Sequence, residues 1–290
     1  MKEPKIALVT GASRGAGRGI AVGLGEKGMT VYVTGRTERP GAARGWDGSV
    51  LPGTVAETAA EVTKAGGKGI AVLCDHADDT QVAALFQQIA RDAGRLDILV
   101  NNATYIHHQL IEKKPFWEKE LAAVGILDVG LRSAYVASWH AAKMMVGQGA
   151  GLIAFGSSFG ATCYMHGPAY GAQKAGIDKF AHDMEHDLRG TGVRSVSIWM
   201  GPLLTERALI AAKTAPEQYE GFMAVAEHPQ FTAHILHAIA CDPKGDDLSG
   251  RVLIAAEIAA RYGITDRGKT PPSYRDMLGK PPEPNPAAVY

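Results

Sequence analysis

Short apolar runs alternate with helix-length amphipathic stretches from the start of this 290-residue chain almost to its end. The runs fall at 5–9, 30–34, 69–73, 96–100, 152–156, 194–199 and 251–255, and most are continuous, as in Ile98-Leu99-Val100 and Leu152-Ile153-Ala154-Phe155. A strand with one wet face alternates apolar and polar side chains, whereas a continuous run suits a strand covered on both faces. Between the runs lie helical segments near 15–27, 54–65, 79–93, 117–147, 170–190 and 230–241. This alternation predicts a doubly wound α/β fold, with a seven-stranded parallel sheet flanked by helices and joined by right-handed crossovers. Ligands of such folds bind outside the carboxyl ends of the strands, near the topological switch point.

Residues 1–264 read as one domain without internal repeats, since 46% hydrophobic content can bury a single large core. Residues 38–53, rich in Gly and Pro, read as an inserted loop, and the tail 265–290 carries six prolines from Pro271 to Pro286. That tail is either an extended surface arm or disordered. Lys+Arg and Asp+Glu both total 30, so no global field recruits nucleic acid or an anionic membrane. No apolar stretch is read as reaching the roughly 18–20 residues of a membrane span. Lys2-Glu3-Pro4-Lys5 runs straight into the first strand, leaving no room for a signal peptide. Cys74, Cys163 and Cys241 lie too far apart for a disulfide framework or a metal spacing. His107-His108 is adjacent rather than i,i+4, so no metal is expected. These features together predict a soluble, reducing, cytoplasmic setting.

Thr10-Gly11-Ala12-Ser13-Arg14-Gly15-Ala16-Gly17 follows the first strand and opens a helix. Glycine lets the backbone turn tightly and approach a pyrophosphate, which the helix N-terminus beyond favours. The second strand ends Thr34-Gly35-Arg36, with no acidic residue to hold a ribose 2′-hydroxyl. Arg36 and Arg14 instead form a guanidinium pair suited to a 2′-phosphate, which predicts NADP(H) over NAD(H). Asp75, after the third strand, is placed either to accept from an adenine amino group or to serve as a turn residue. Asn101, opening Asn101-Asn102-Ala103, ends a buried strand and can bind backbone across the sheet while facing the cofactor ribose.

Tyr170 and Lys174 lie four residues apart, on one face of the predicted 170–190 helix. An ammonium beside a phenol lowers the phenol pKa from its usual value of about 10. With a hydroxyl from Ser157 or Ser158 to hold a substrate oxygen, the set moves a proton to or from a carbonyl or alcohol. Counting forward from Gly151 along the strand selects Ser158, which is preferred.

In this order the motifs resemble the short-chain dehydrogenase/reductase family over roughly residues 5–255: T-G-x-x-x-G-x-G at Thr10–Gly17, Asp75, N-N-A at Asn101–Ala103, the serine pair and Y-x-x-x-K at Tyr170–Lys174. The resemblance implies a single-domain Rossmann fold, and its spacing back from Tyr170 selects Ser157 as the serine. It implies hydride transfer between nicotinamide and a ketone, aldehyde or secondary alcohol, with Tyr170 as general acid/base. Lys174 would lower the tyrosine pKa and hold the nicotinamide ribose. Thr205, near Leu203, would bind the cofactor carboxamide, and residues 203–231 would cover a small, apolar substrate. Pairing through the helices near 117–147 and 170–190 would give a homodimer or homotetramer. Gly130 stands where the family often carries an asparagine that supports a water-linked proton path. That departure motivates the alternative of a cofactor-binding regulatory or scaffold protein with little turnover.

Overall fold

In the computed structural model, which describes residues 5–45, 48–214, 216–283, 285 and 287–289, the strands and helices alternate as the apolar runs predict. Strand β1 (Ile6–Val9) leads to α1 (Gly15–Gly25), β2 (Thr30–Gly35), a hairpin of β3 (Ala43–Arg44) and β4 (Val50–Leu51), α2 (Val55–Lys64), β5 (Lys68–Leu73), α3 (Asp79–Ala93) and β6 (Ile98–Asn101). Then come α4 (Ser133–Gln148), β7 (Gly151–Ser157), α5 (Pro168–Leu188), β8 (Val193–Trp199), α6 (Glu206–Thr214) and α7 (Pro216–Val225). The chain closes with α8 (Pro229–Cys241), β9 (Val252–Ile254), α9 (Ala255–Tyr262) and α10 (Arg275–Leu278). The main sheet has seven strands in the order β5-β2-β1-β6-β7-β8-β9, every pair parallel.

The reason for the continuous apolar runs is visible in β1. Ala7 and Val9 pack with Ile20, Leu24 and Phe231 on one face, and Ile6 and Leu8 pack with Phe86, Ile89 and Ile153 on the other. Each large side chain so buried contributes about 1.5–3 kcal/mol relative to exposure. Strand order reverses at β1, which lies between β2 and β6. A crevice therefore opens beyond its carboxyl end, flanked by the ends of β2 and β6.

Four expectations need correction. The helix expected over 117–147 is broken: Val129 (φ −105°) and Gly130 (φ 145°) leave helical geometry, and regular α-helix starts only at Ser133. Leu121–Gln148 also contains a window of mean hydropathy 1.3, apolar enough for a membrane span, contrary to the earlier expectation. Here the kink divides it, and Ala134, Ala137, Ala141 and Met145 of α4 are buried with the second face of the sheet. The tail is neither wholly extended nor free: Tyr274 and Leu278 pack with Phe159, Trp199 and Ile254, while Ser273 and Arg275 donate to Glu257 (2.5 and 2.6–2.7 Å). Residues 38–53 hold the β3/β4 hairpin rather than an irregular loop. Trp46 and Asp47 of that stretch, and Pro284 and Pro286 of the tail, lie outside the described residues.

Candidate active site

Thr10, just past β1, organises the crevice. Its Oγ1 accepts from the backbone N–H groups of Asn102 and Ala103, both at 2.9 Å. In return Asn102 Nδ2 donates to the carbonyls of Thr10 (2.9 Å) and Gly11 (3.1 Å). Gly11 has φ +64°, and a Cβ there would lie 2.6 Å from Ala103 Cα, so only glycine lets the two segments close up. The backbone-binding role expected of Asn101 thus belongs to Asn102. The side chain of Asn101 points inward and donates to Ser138 Oγ at 2.9 Å.

A cavity of about 700 Å³ opens over this turn, with Gly11, Ser13, Gly15, Gly17, Asp75 and Ala103 in its wall. Gly15 (φ +60°) starts α1, which has no side-chain N-cap and no acidic residue in its first turn. The cavity lies over the N-terminus of α1, whose N-cap residue makes no side-chain capping bond and whose first N–H is met instead by the remote Glu206 carboxylate. This is an anion-favouring end of the kind a dinucleotide diphosphate uses. Thr205 lines the same cavity, whereas Leu203 bridges to Glu227 beside it.

Nothing in the sequence marks Glu206, the first residue of α6, yet it reaches this turn. Its Oε2 accepts from Gly15 N–H (2.7 Å) and its Oε1 from Arg18 Nη1 (2.9 Å). Arg14 does not stand free either. Its guanidinium donates to Pro52 O (3.1 Å), Gly53 O (2.7 Å) and Thr37 Oγ1 (3.1 Å), stitching the inserted segment to the glycine turn. Arg36 is largely exposed on the cavity wall, with Nη1 3.7 Å from Asp75 Oδ2. Asp75 itself accepts from Ala77 N–H (3.0 Å), the turn role among its two expected ones. Arg44 of the hairpin adds a third guanidinium to the same wall.

At the end of β7 the choice between serines is made by the alternation of side chains along a strand. Ser158 Oγ and Tyr170 OH are hydrogen-bonded at 2.9 Å, while Ser157 is buried beside Asp178. Pro168 sits in the first turn of α5, pre-set for helix, so Tyr170 and Lys174 share the face turned to β7. Lys174 Nζ donates to the Gly156 carbonyl at 3.0 Å and lies 5.5 Å from the centre of the Tyr170 ring.

The expected lowering of the Tyr170 pKa is not what the geometry gives. Burial raises it, opposed by the hydrogen bond from Ser158, and Lys174 is too far away to reverse the sign. Burial also pushes Lys174 down to about 8, with the Asp178 carboxylate opposing. Asp178 is pushed up to about 6 by burial, against donors from Ser197 and Trp199 and the nearby Ser157 hydroxyl.

Gly130 lies against this helix. Gln173 Nε2 donates to the Gly130 carbonyl (3.0 Å), and a Cβ at Gly130 would meet Gln173 Cγ and Thr104 Oγ1, both at 3.2 Å. At φ +145° a side chain is strained whatever the space. Gly130→Asn is therefore expected to destabilise the fold by about 1–3 kcal/mol, seen as a lower denaturation midpoint at unchanged slope.

Glu227 is a second buried carboxyl. Its Oε1 accepts from Gly201 N–H at 2.6 Å, and burial pushes its pKa up to about 7. A carboxyl raised above its unfolded value, about 4.3, favours folding below that value and loses this contribution as pH rises through 7. Glu227→Gln, which keeps the acceptor, is expected to raise Tm at pH 8 more than at pH 5. An equal shift at both would show that ionisation is not the cause.

The fold also gathers His107, His108 and Glu120, which adjacency alone did not foretell. Both imidazole Nε2 atoms lie 3.3 Å from the Glu120 carboxylate. Gln109 N–H donates to His107 Nδ1 at 3.3 Å. The side chain of Tyr219 lies outside the described residues.

Residues 5–214 match the family described as short chain dehydrogenase. Dehydrogenase/reductase SDR family member 1 of Mus musculus is 39% identical over 274 residues, covering 90% of this chain and 83% of the relative. The Homo sapiens protein of the same name is 39% identical over 276 residues, with the same coverage. A solved short chain dehydrogenase from Mycobacterium thermoresistibile shares the fold with a TM-score of 0.73 at 23% identity, over 90% of this chain and 88% of that one.

Proposed function

The chain belongs to the short-chain dehydrogenase/reductase family of oxidoreductases, and from that premise we propose that it is an NADP(H)-dependent enzyme in which Tyr170 moves the proton between solvent and a carbonyl or secondary alcohol. The observation that carries this reading is the 2.9 Å hydrogen bond between Ser158 Oγ and Tyr170 OH, one helical turn from a buried lysine. When bound, nicotinamide supplies or accepts the hydride. The chain does the rest. Ser158 and Tyr170 point two hydroxyls at one substrate oxygen. Burial keeps the phenol protonated at neutral pH, the state needed to donate to a forming alkoxide. Lys174 Nζ, released from the Gly156 carbonyl or shared with it, has donors left for a ribose hydroxyl.

The guanidinium groups of Arg14, Arg36 and Arg44, three of the four arginines on the cavity wall, support a preference for the 2′-phosphate. Titration is expected to give a dissociation constant at least about tenfold lower for NADPH than for NADH, equivalent to about 1.4 kcal/mol. Arg36→Ala should narrow the gap. Equal constants in the parent protein would sink the preference. An apolar substrate is supported by exposed Trp117 and Tyr164 in the segments that follow β6 and β7. Exposed Tyr135 and Trp139 on α4 support self-association through α4 and α5; sedimentation as a monomer at micromolar concentration would count against it.

A further inference from the structure

We propose that Asp178 is a positioning residue of the active site: its carboxylate is the buried counter-charge that holds Lys174 protonated. The inference rests on the reading of Tyr170 and Lys174 given above. Tyr170, Lys174 and Asp178 recur every four residues, so they form one stripe along the buried side of α5. Lys174 and Asp178 are both buried, at 8% and 3% exposure. Neither forms a direct ion pair among the described contacts, and each lies in the other's field.

The carboxylate is held hard against the sheet. Its Oδ1 accepts from Ser197 Oγ (2.5 Å) and its Oδ2 from Trp199 Nε1 (2.8 Å), both from β8. Two neutral donors at these distances favour the ionised form against burial, which still lifts the carboxyl to about 6, and fix its direction, which a surface carboxylate lacks. The groups facing the pair from the packed strands are otherwise neutral: Ser157 and the Gly156 carbonyl from β7, and Ser197 and Trp199 from β8. The other titratable group facing Tyr170 is the Cys163 thiol. Asp178 is thus the negative charge that offsets the cost of keeping an ammonium in a low-dielectric site.

The direction of the effect follows. Burial has already lowered the lysine to about 8, and Asp178 is what opposes a further fall. Below that pH the ammonium is present to hold cofactor; above it the charge is lost. Removing Asp178 moves this loss to lower pH.

The test is the dissociation constant of NADPH from the full chain, followed by fluorescence between pH 6 and 10 (roughly the span across which such a lysine titrates), beside the pH profile of carbonyl reduction. In Asp178→Asn the alkaline rise of the constant should begin about one pH unit lower, with binding about fivefold weaker at pH 8 and approaching about tenfold weaker above pH 9. Ser197→Ala removes one donor but keeps the charge, so its alkaline rise should stay with the parent. Asp178→Ser, neutral and small, provides the same measurement if the asparagine amide clashes with the Trp199 N–H and prevents folding. An unmoved alkaline rise in the folded neutral variant overturns the proposal, and so does an equal shift in Ser197→Ala, which would mean that Asp178 only holds β8 to α5. Loss of reduction in Tyr170→Phe with no shift in Asp178→Asn rejects this inference alone. Unimpaired reduction in Tyr170→Phe rejects the reading beneath it.

Discussion

Carbonyl reduction by Tyr170→Phe is expected to be about 10²–10⁴-fold slower than by the parent enzyme, the range typical for losing a positioned general acid. The substitution removes one oxygen and keeps the ring, so the packing around it should survive. The lost atom is the one 2.9 Å from Ser158 Oγ. Ser158 keeps a partner in the Gly160 N–H at 3.3 Å, so the serine is not left unsatisfied. Stability should therefore change little and NADPH affinity should stay near that of the parent, with the loss falling on kcat. The pH profile sharpens the expectation. Because burial raises the phenol above its ordinary value, reduction should hold up through neutral pH and decline only on the alkaline side. A carbonyl panel with NADPH measures both, and undiminished turnover would refute the acid/base role.

Lys174→Met should separate function from stability in the opposite sense. The lysine is buried, and burial pushes its pKa down to about 8 from 10.5. A base with a depressed folded pKa opposes folding at pH 7, and its penalty fades as pH rises from 8 towards 10.5. Methionine fills a similar volume without the charge. Two effects then compete: relief from burying an ammonium, and exposure of Asp178 as an unpaired buried carboxylate. Asp178 retains donors from Ser197 and Trp199 and is already pushed up to about 6, so near neutrality it has partners and a partial route to protonation. The melting temperature at pH 7 should fall little or rise, while NADPH binding and turnover drop by about 10² or more. A large loss of stability with intact binding would show that the lysine is structural.

Much of the scaffold is legible because its physics is local. A strand buried on both faces must be apolar throughout, so runs such as Ile98-Leu99-Val100 locate β6 to within a residue or two. The glycine turn is legible because Gly11 and Gly15 need backbone angles that other residues resist. Tyr170 and Lys174 are legible because four-residue spacing in a helix already places them together. Other features escape for equally definite reasons. Apolar periodicity runs through Leu121–Gln148 without pause, and the break at Gly130 depends on Gln173 and Thr104, which crowd it from other segments. Glu206 looks like an ordinary helix-starting acid, and only the approach of α6 to α1 brings it to Gly15.

By itself, then, the sequence determined the parallel α/β scaffold, the glycine turn and the tyrosine–lysine pair, since each follows from spacing and side-chain type along the chain. The tertiary structure alone decided that Ser158 meets Tyr170, that Asn102 rather than Asn101 locks the turn, and that the phenol pKa goes up. Those outcomes depend on distance and desolvation between segments remote in sequence. A lysine four residues away lowers a phenol's pKa only if it lies close enough to outweigh burial, and at 5.5 Å from the ring, with its Nζ on the Gly156 carbonyl, it does not.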